Sequence, residues 1–101
     1  MTIQPGHLYV VEVRPGVCKI GRSTHRFDRL AAYAKRETEL LAWSSPAFVG
    51  HRGAETHLIH TLAARHRRAE GVETFAVDFA AAVRAARATV RAVTLDNAAA
   101  A

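Results

Sequence analysis

Between His7 and Val13 the chain reads HLYVVEV, with Tyr9, Val11 and Val13 on one alternation and Leu8 and Val10 on the other. Apolar side chains on both alternations, many of them β-branched, predict a central strand covered on both sides. Arg14-Pro15-Gly16 predicts a turn, and Val17 to Arg22 the returning strand. A two-residue Pro-Gly loop would splay a hairpin, so a three- or five-residue loop is expected. An odd loop places Lys19, Gly21 and Ser23 on the face of Tyr9. The pattern then changes period. Phe27, Leu30, Ala31 and Ala34 recur at helical spacing, with Arg26, Arg29, Tyr33 and Arg36 on the other side and Ser23 or Thr24 as N-cap. After a polar connection from Arg36 to Glu39, Leu40 to Val49 predicts a third strand, with Trp43 in the core and Pro46 at an edge, bulge or end. His51 to Arg68 predicts a second helix on the stripe Leu58, Ile59 and Leu62. Ala69 to Thr74 reads as a loop and Phe75 to Val77 as a short extended segment. Asp78 is an N-cap for a last helix that buries Phe79, Val83, Ala86, Val90 and Val93. The expected fold is α+β: a small central three-stranded antiparallel sheet flanked by about three helices, in the order ββαβαα. Residues 1–95 form its single domain and 96–101 a flexible tail.

A chain of 101 residues, half of them hydrophobic, suits one small domain and argues against disorder. It has no apolar run near the roughly 20 residues of a membrane helix and no basic-then-apolar start of a signal peptide, so a cytoplasmic location without membrane contact is expected. Cys18 is alone, which excludes an internal disulfide framework. The formal charge is +5, and of the 14 basic residues only Lys19 and Lys35 are lysine. Guanidinium forks bind phosphate bidentately, so this composition points to a nucleic-acid partner. Abundant alanine beside arginine is also what GC-rich coding produces, which accounts for part of the excess.

Glu55 breaks the pattern of the second helix, because it lies on the same stripe as Leu58, Ile59 and Leu62. A carboxylate turned inward costs several kcal/mol unless it is paired or binds a cation. Two explanations stand side by side. Glu55 lies in the first helical turn, where the dipole favours an anion, and pairs with an arginine; or it serves a site. His57, His60, Arg67 and Arg68 lie off the stripe and read as a solvated basic face, and the Arg84, Arg87 and Arg91 line of the last helix reads the same way. His and Cys show no zinc spacing.

A tyrosine in a first strand, a glycine ending a second, an arginine in the next helix and a glutamate opening a later one make an ordered set. The set resembles the GIY-YIG nuclease superfamily over roughly residues 6 to 78. His7-Leu8-Tyr9 is similar to its first motif and Lys19-Ile20-Gly21 to its second. Arg29 falls at the family's catalytic arginine and Glu55 at its metal-binding glutamate. The likeness is greatest to the compact phage and bacterial branch, often labelled a phage DNA-binding domain, whose second motif reads Lys-Ile-Gly-Arg-Ser and whose late Gly-Glu-Trp-Phe is echoed by Val72-Glu73-Thr74-Phe75. His7 departs from the usual glycine, Lys19 replaces the second tyrosine, and Thr74 stands for the late tryptophan.

This resemblance implies a divalent-metal-dependent DNA endonuclease that hydrolyses phosphodiester bonds with one Mg²⁺ or Mn²⁺ on Glu55. Tyr9 would orient or deprotonate water, helped by the cation of Lys19, since an unassisted phenol with a pKa near 10 is a poor base, and the inward Glu55 would face the same cleft as Tyr9. Arg29 would stabilise phosphate charge. Arg22, Ser23, Arg26, Tyr33 and Arg36 would contact DNA. Specificity would have to come from a homodimer or a partner protein. A catalytically weak or inactive DNA-binding module of the same fold is the alternative, and a basic protein-interaction domain a third.

Overall fold

The computed structural model describes residues 4–25 and 41–100. The helix expected around Phe27 to Ala34, with Arg26, Arg29, Tyr33 and Arg36, lies outside the described residues. The described chain is α+β. Strand β1 spans His7–Arg14, β2 Val17–Ser23 and β3 Ala42–Ser44; helix α1 spans His51–Arg65; β4 is Arg68–Glu70, β5 Thr74–Phe75, and α2 runs over Phe79–Ala100. The strands form one antiparallel sheet in the order β3-β1-β2-β5-β4.

Among the described residues the sheet therefore has five strands rather than the expected three. The added pair is a hairpin on the far side of β2, where the chain was expected to be a loop followed by an extended segment. Gly71, at φ 57, makes its turn, and Cys18 pairs with Phe75 and Lys19 with Thr74. Strands of three and two residues are too short to display a period of two, so nothing in their composition marks them. Helix α1 stops at Arg65, not Arg68, because Arg68 is taken into β4 opposite Phe75 and its guanidinium lies 5.9 Å from the Phe75 ring. The third strand is also shorter than expected. It ends at Ser44, before Pro46, and only the Gly6–Phe48 bridge continues the pairing.

Strand β1 is interior, between β3 and β2, as its two apolar faces require. Leu8, Val10, Cys18 and Ile20 face the helices and join Ala54, Leu58, Leu62, Phe75, Ala82 and Ala86 in the core. Buried Tyr9 and Val11 point to the other side of the sheet. Trp43, opposite Val10, packs against the core and carries the Arg87 guanidinium 6.0 Å from its ring centre. Asp78 caps α2: the Ala81 amide donates to its Oδ1 at 2.9 Å, a contact that contributes about 1 kcal/mol. The buried centre of α2 is Ala82, Ala86 and Thr89, with Phe79, Val83, Val90 and Val93 at the flanks. The expected stripe is thus turned slightly, since small residues let the helix approach the sheet closely. The tail expected from Asp96 is helix through Ala100, and Asn97 Nδ2 donates to the Val49 carbonyl at 2.9 Å.

The hairpin reaches the expected parity by an unexpected route. Its turn is the two-residue Pro15-Gly16, with Arg14 opposite Val17 and Gly16 at φ 75. Glu12 pairs with Cys18, so Val13 is an extra residue in β1, and the bulge supplies the odd residue that the loop lacks. Tyr9 consequently opposes Gly21 and Val11 opposes Lys19, on one face. The Tyr9 ring lies across Gly21: a Cβ there would stand 2.1 Å from the ring's Cζ and hydroxyl oxygen. Gly21→Ala should therefore cost about 1–3 kcal/mol by displacing a buried ring. The cost should shrink in a Tyr9→Ala background, as a double-mutant cycle read by urea unfolding would show. Penalties that add within about 0.5 kcal/mol would mean that the ring is not what the methyl group meets.

Candidate functional site

The far ends of β1 and β2 and the start of α1 gather most of the described chemistry. Alternation along β2 sends Lys19, Gly21 and Ser23 to the Tyr9 face and Arg22, opposite Leu8, to the α1 side. Ser23 closes a local turn in which its hydroxyl accepts from the His25 amide at 2.9 Å, the contact an N-cap makes. Tyr9 is buried; Lys19 and Ser23 are half-buried.

Glu55 is the fifth residue of α1, one turn beyond the start, and the first turn holds no acidic residue. The helix starts at His51 as expected, and counted from there Glu55 lies past the first turn, so the expectation that it answers the helix dipole from the first turn is corrected. Ala54 and Leu58, its neighbours on the helix, are fully buried against the sheet, and they carry Glu55 inward until its side chain is only 15% exposed. There Arg22 Nε donates to Oε1 at 3.2 Å; the Arg22 side chain is 37% exposed. The expected pairing with an arginine is present, and its partner comes from the proposed DNA-contacting set.

Burial raises the Glu55 pKa, the positive charge of Arg22 opposes the rise, and the negative charge of Glu73 adds to it. Glu73 is held beside β2 because its carbonyl accepts from the Ile20 amide at 2.9 Å. His51 opens α1 with its ring stacked on Gly6, where a Cβ would come within 2.6 Å. Burial lowers its pKa first, and Arg22, Arg52 and His7 lower it further. His7 is oriented in turn, with Nδ1 donating to the Ser45 carbonyl at 2.8 Å.

Of the residues singled out from sequence, the structure joins Arg22 to Glu55 and places Tyr9 and Lys19 on one face of the hairpin. It sets those two pairs on opposite faces of β2, because side chains alternate along the strand, so the expectation that Glu55 faces the same cleft as Tyr9 is corrected. Arg26, Arg29, Tyr33 and Arg36 lie outside the described residues. Sequence reasoning missed His51 and Glu73 as members of this cluster. Glu73 had a signal in its motif echo; His51, the first residue of an ordinary helix, had none. Among the described residues no group of three or more His, Cys, Asp or Glu could hold a metal ion. A divalent ion here would rest on Glu55, with water and phosphate completing its shell, which suits Mg²⁺ or Mn²⁺ and not zinc. Comparison of the chain with family models, with curated proteins and with solved structures returned no match.

The raised pKa of Glu55 has a definite sign in stability. A carboxyl that holds its proton more tightly when folded contributes stability below its ordinary value of 4.5 and loses it as pH rises through the raised folded value. Unfolding free energies of wild type and Glu55→Gln, measured from acid toward neutral pH, should therefore diverge, with wild type losing ground as pH rises. A difference that grows in favour of wild type over that range would mean that the Arg22 bond outweighs burial.

Proposed function

We propose that the protein is a divalent-metal-dependent DNA endonuclease hydrolysing phosphodiester bonds. One observation carries this reading. Glu55 is a carboxylate kept largely out of water, 15% exposed, whose ion-pair partner Arg22 is itself open to solvent, and such a group gains from a divalent cation. The resemblance of Tyr9, Lys19-Ile20-Gly21, Arg29 and Glu55 to the GIY-YIG pattern supports it, as does the arginine-rich charge.

In the proposed mechanism Glu55 would hold Mg²⁺ or Mn²⁺, and the ion would supply Lewis-acid stabilisation of phosphate oxygen. The chain supplies the rest. The resemblance gives the attacking water to Tyr9, whose ring lies across Gly21 and which would take the proton as phenolate beside the cation of Lys19 on the same face. That face is the one opposite Glu55, which counts against a single cleft shared by the two. Arg29 offsets charge that builds on the scissile phosphate. Arg22, Ser23, Arg26, Tyr33 and Arg36 position the strand by its backbone, which confers affinity without sequence preference. Specificity then comes from a second copy or a partner protein.

The Arg22–Glu55 ion pair favours a second reading, a DNA-binding module of the same fold with little or no catalysis. There the carboxylate already has its cation and needs no metal. Incubation of the purified protein with supercoiled and branched DNA, with and without Mg²⁺ or Mn²⁺, separates the two. The nuclease reading expects metal-dependent nicking that falls about a hundredfold or more in Glu55→Gln, the scale on which loss of transition-state charge stabilisation acts, while duplex binding persists. Tight duplex binding with no cleavage in either metal would leave the module.

A further inference from the structure

Arg22 is held by the carboxylate that the proposed reaction needs free, and it also belongs to the set proposed to hold phosphate. Its position lets it serve both. It stands at the end of β2, beyond the pairing with β5, which reaches only as far as Lys19. Glu55 is anchored from below by Ala54 and Leu58, whereas more than a third of the Arg22 side chain is in contact with solvent. The carboxylate is thus the enclosed member of the pair and the guanidinium the one that a ligand arriving from solvent can reach. The bond uses Nε at 3.2 Å, a moderate distance for a charged pair, and Nε is one of five donors on a group whose fork matches phosphate.

We infer that Arg22 is an internal competitor for the metal site, which a DNA phosphate draws off Glu55, so that nucleic acid and divalent ion bind with positive coupling. The inference rests on the nuclease reading of Glu55. In the DNA-free protein Arg22 neutralises a half-buried carboxylate and keeps the fold intact without metal. When a phosphodiester reaches the β2 end, the guanidinium exchanges carboxylate for phosphate and leaves Glu55 open to the cation. Linkage makes the effect reciprocal: metal on Glu55 frees Arg22 and tightens DNA binding by the same factor. Hydrolytic chemistry would then be assembled only on substrate.

The test uses Mn²⁺ binding to DNA-free protein, followed by the electron paramagnetic resonance signal of the free ion, together with duplex affinity in the absence and presence of Mn²⁺. The duplex carries phosphorothioate linkages so that cleavage does not enter. Wild type should bind the duplex roughly tenfold tighter in saturating Mn²⁺. Arg22→Gln should bind the duplex less tightly, lose that enhancement, and bind Mn²⁺ more tightly than wild type does without DNA. A merely structural arginine gives no such gain in metal affinity. Should Arg22→Gln not fold, Arg22→Lys keeps the charge without the Nε donor and should move Mn²⁺ affinity in the same direction by less. Equal Mn²⁺ affinity in wild type and variant would overturn the competition and leave the metal site standing. Mn²⁺ binding in neither protein, with or without duplex, would overturn the metal site itself.

Discussion

One extra residue in β1 decides which way every side chain of the hairpin faces. With Val13 bulged out, Tyr9 opposes Gly21 and Val11 opposes Lys19; without it, a two-residue Pro15-Gly16 turn would shift the register by one. That slip would turn Cys18 and Ile20 to the face opposite Leu8 and Val10, with which they form the floor of the core. The same parity sends Arg22 toward α1 and Lys19 toward Tyr9. Packing and chemistry therefore depend on a single register, and the burial of both faces of β1 holds it. The thiol of Cys18 reports how dry the helix side is: burial first, then the charges of Glu12 and Asp78, push its pKa up to about 12, and Sγ donates to the Val77 carbonyl at 3.3 Å.

Against that frame Glu55 is a local conflict. Helix α1 docks through Ala54, Leu58 and Leu62, and the carboxylate is carried inward with them. Desolvating an ionised group costs several kcal/mol, and a partly exposed arginine offsets only some of this. A residue of that kind is retained where function uses it or where its partner is structurally indispensable. The Arg22 side chain that pairs with it is itself more than a third exposed.

Much of this was legible in the amino-acid pattern, and the exceptions have physical causes. Apolar residues on both alternations of His7 to Val13 identify a central strand, and Asp78 is readable as a cap because an acid standing before a long apolar period has that one role. The oddness of Glu55 is visible on its stripe, since a helical period fixes the face of each position. The β4–β5 hairpin is not visible, because strands of three and two residues carry no period. The Val13 bulge is hidden too, since any residue can bulge; only the resulting parity was inferred, from the strain of a Pro-Gly loop. Nor does sequence show that Glu55 takes its arginine from β2, a contact across 33 positions that arises only when α1 packs over the sheet. His51 had no signal because a buried ring against Gly6 is a product of packing alone.

The central claim is that Glu55 is a metal-binding carboxylate, and thermal unfolding under divalent ions tests it most directly. Ligand bound to the native state alone raises its stability by mass action. At Mn²⁺ or Mg²⁺ about tenfold above its dissociation constant, the wild-type melting temperature should rise by about 5 °C or more, and that of Glu55→Gln should not move. A wild type indifferent to both ions, alone and with duplex, beside a Glu55→Gln variant that melts lower, would contradict the claim and leave Glu55 as the structural partner of Arg22.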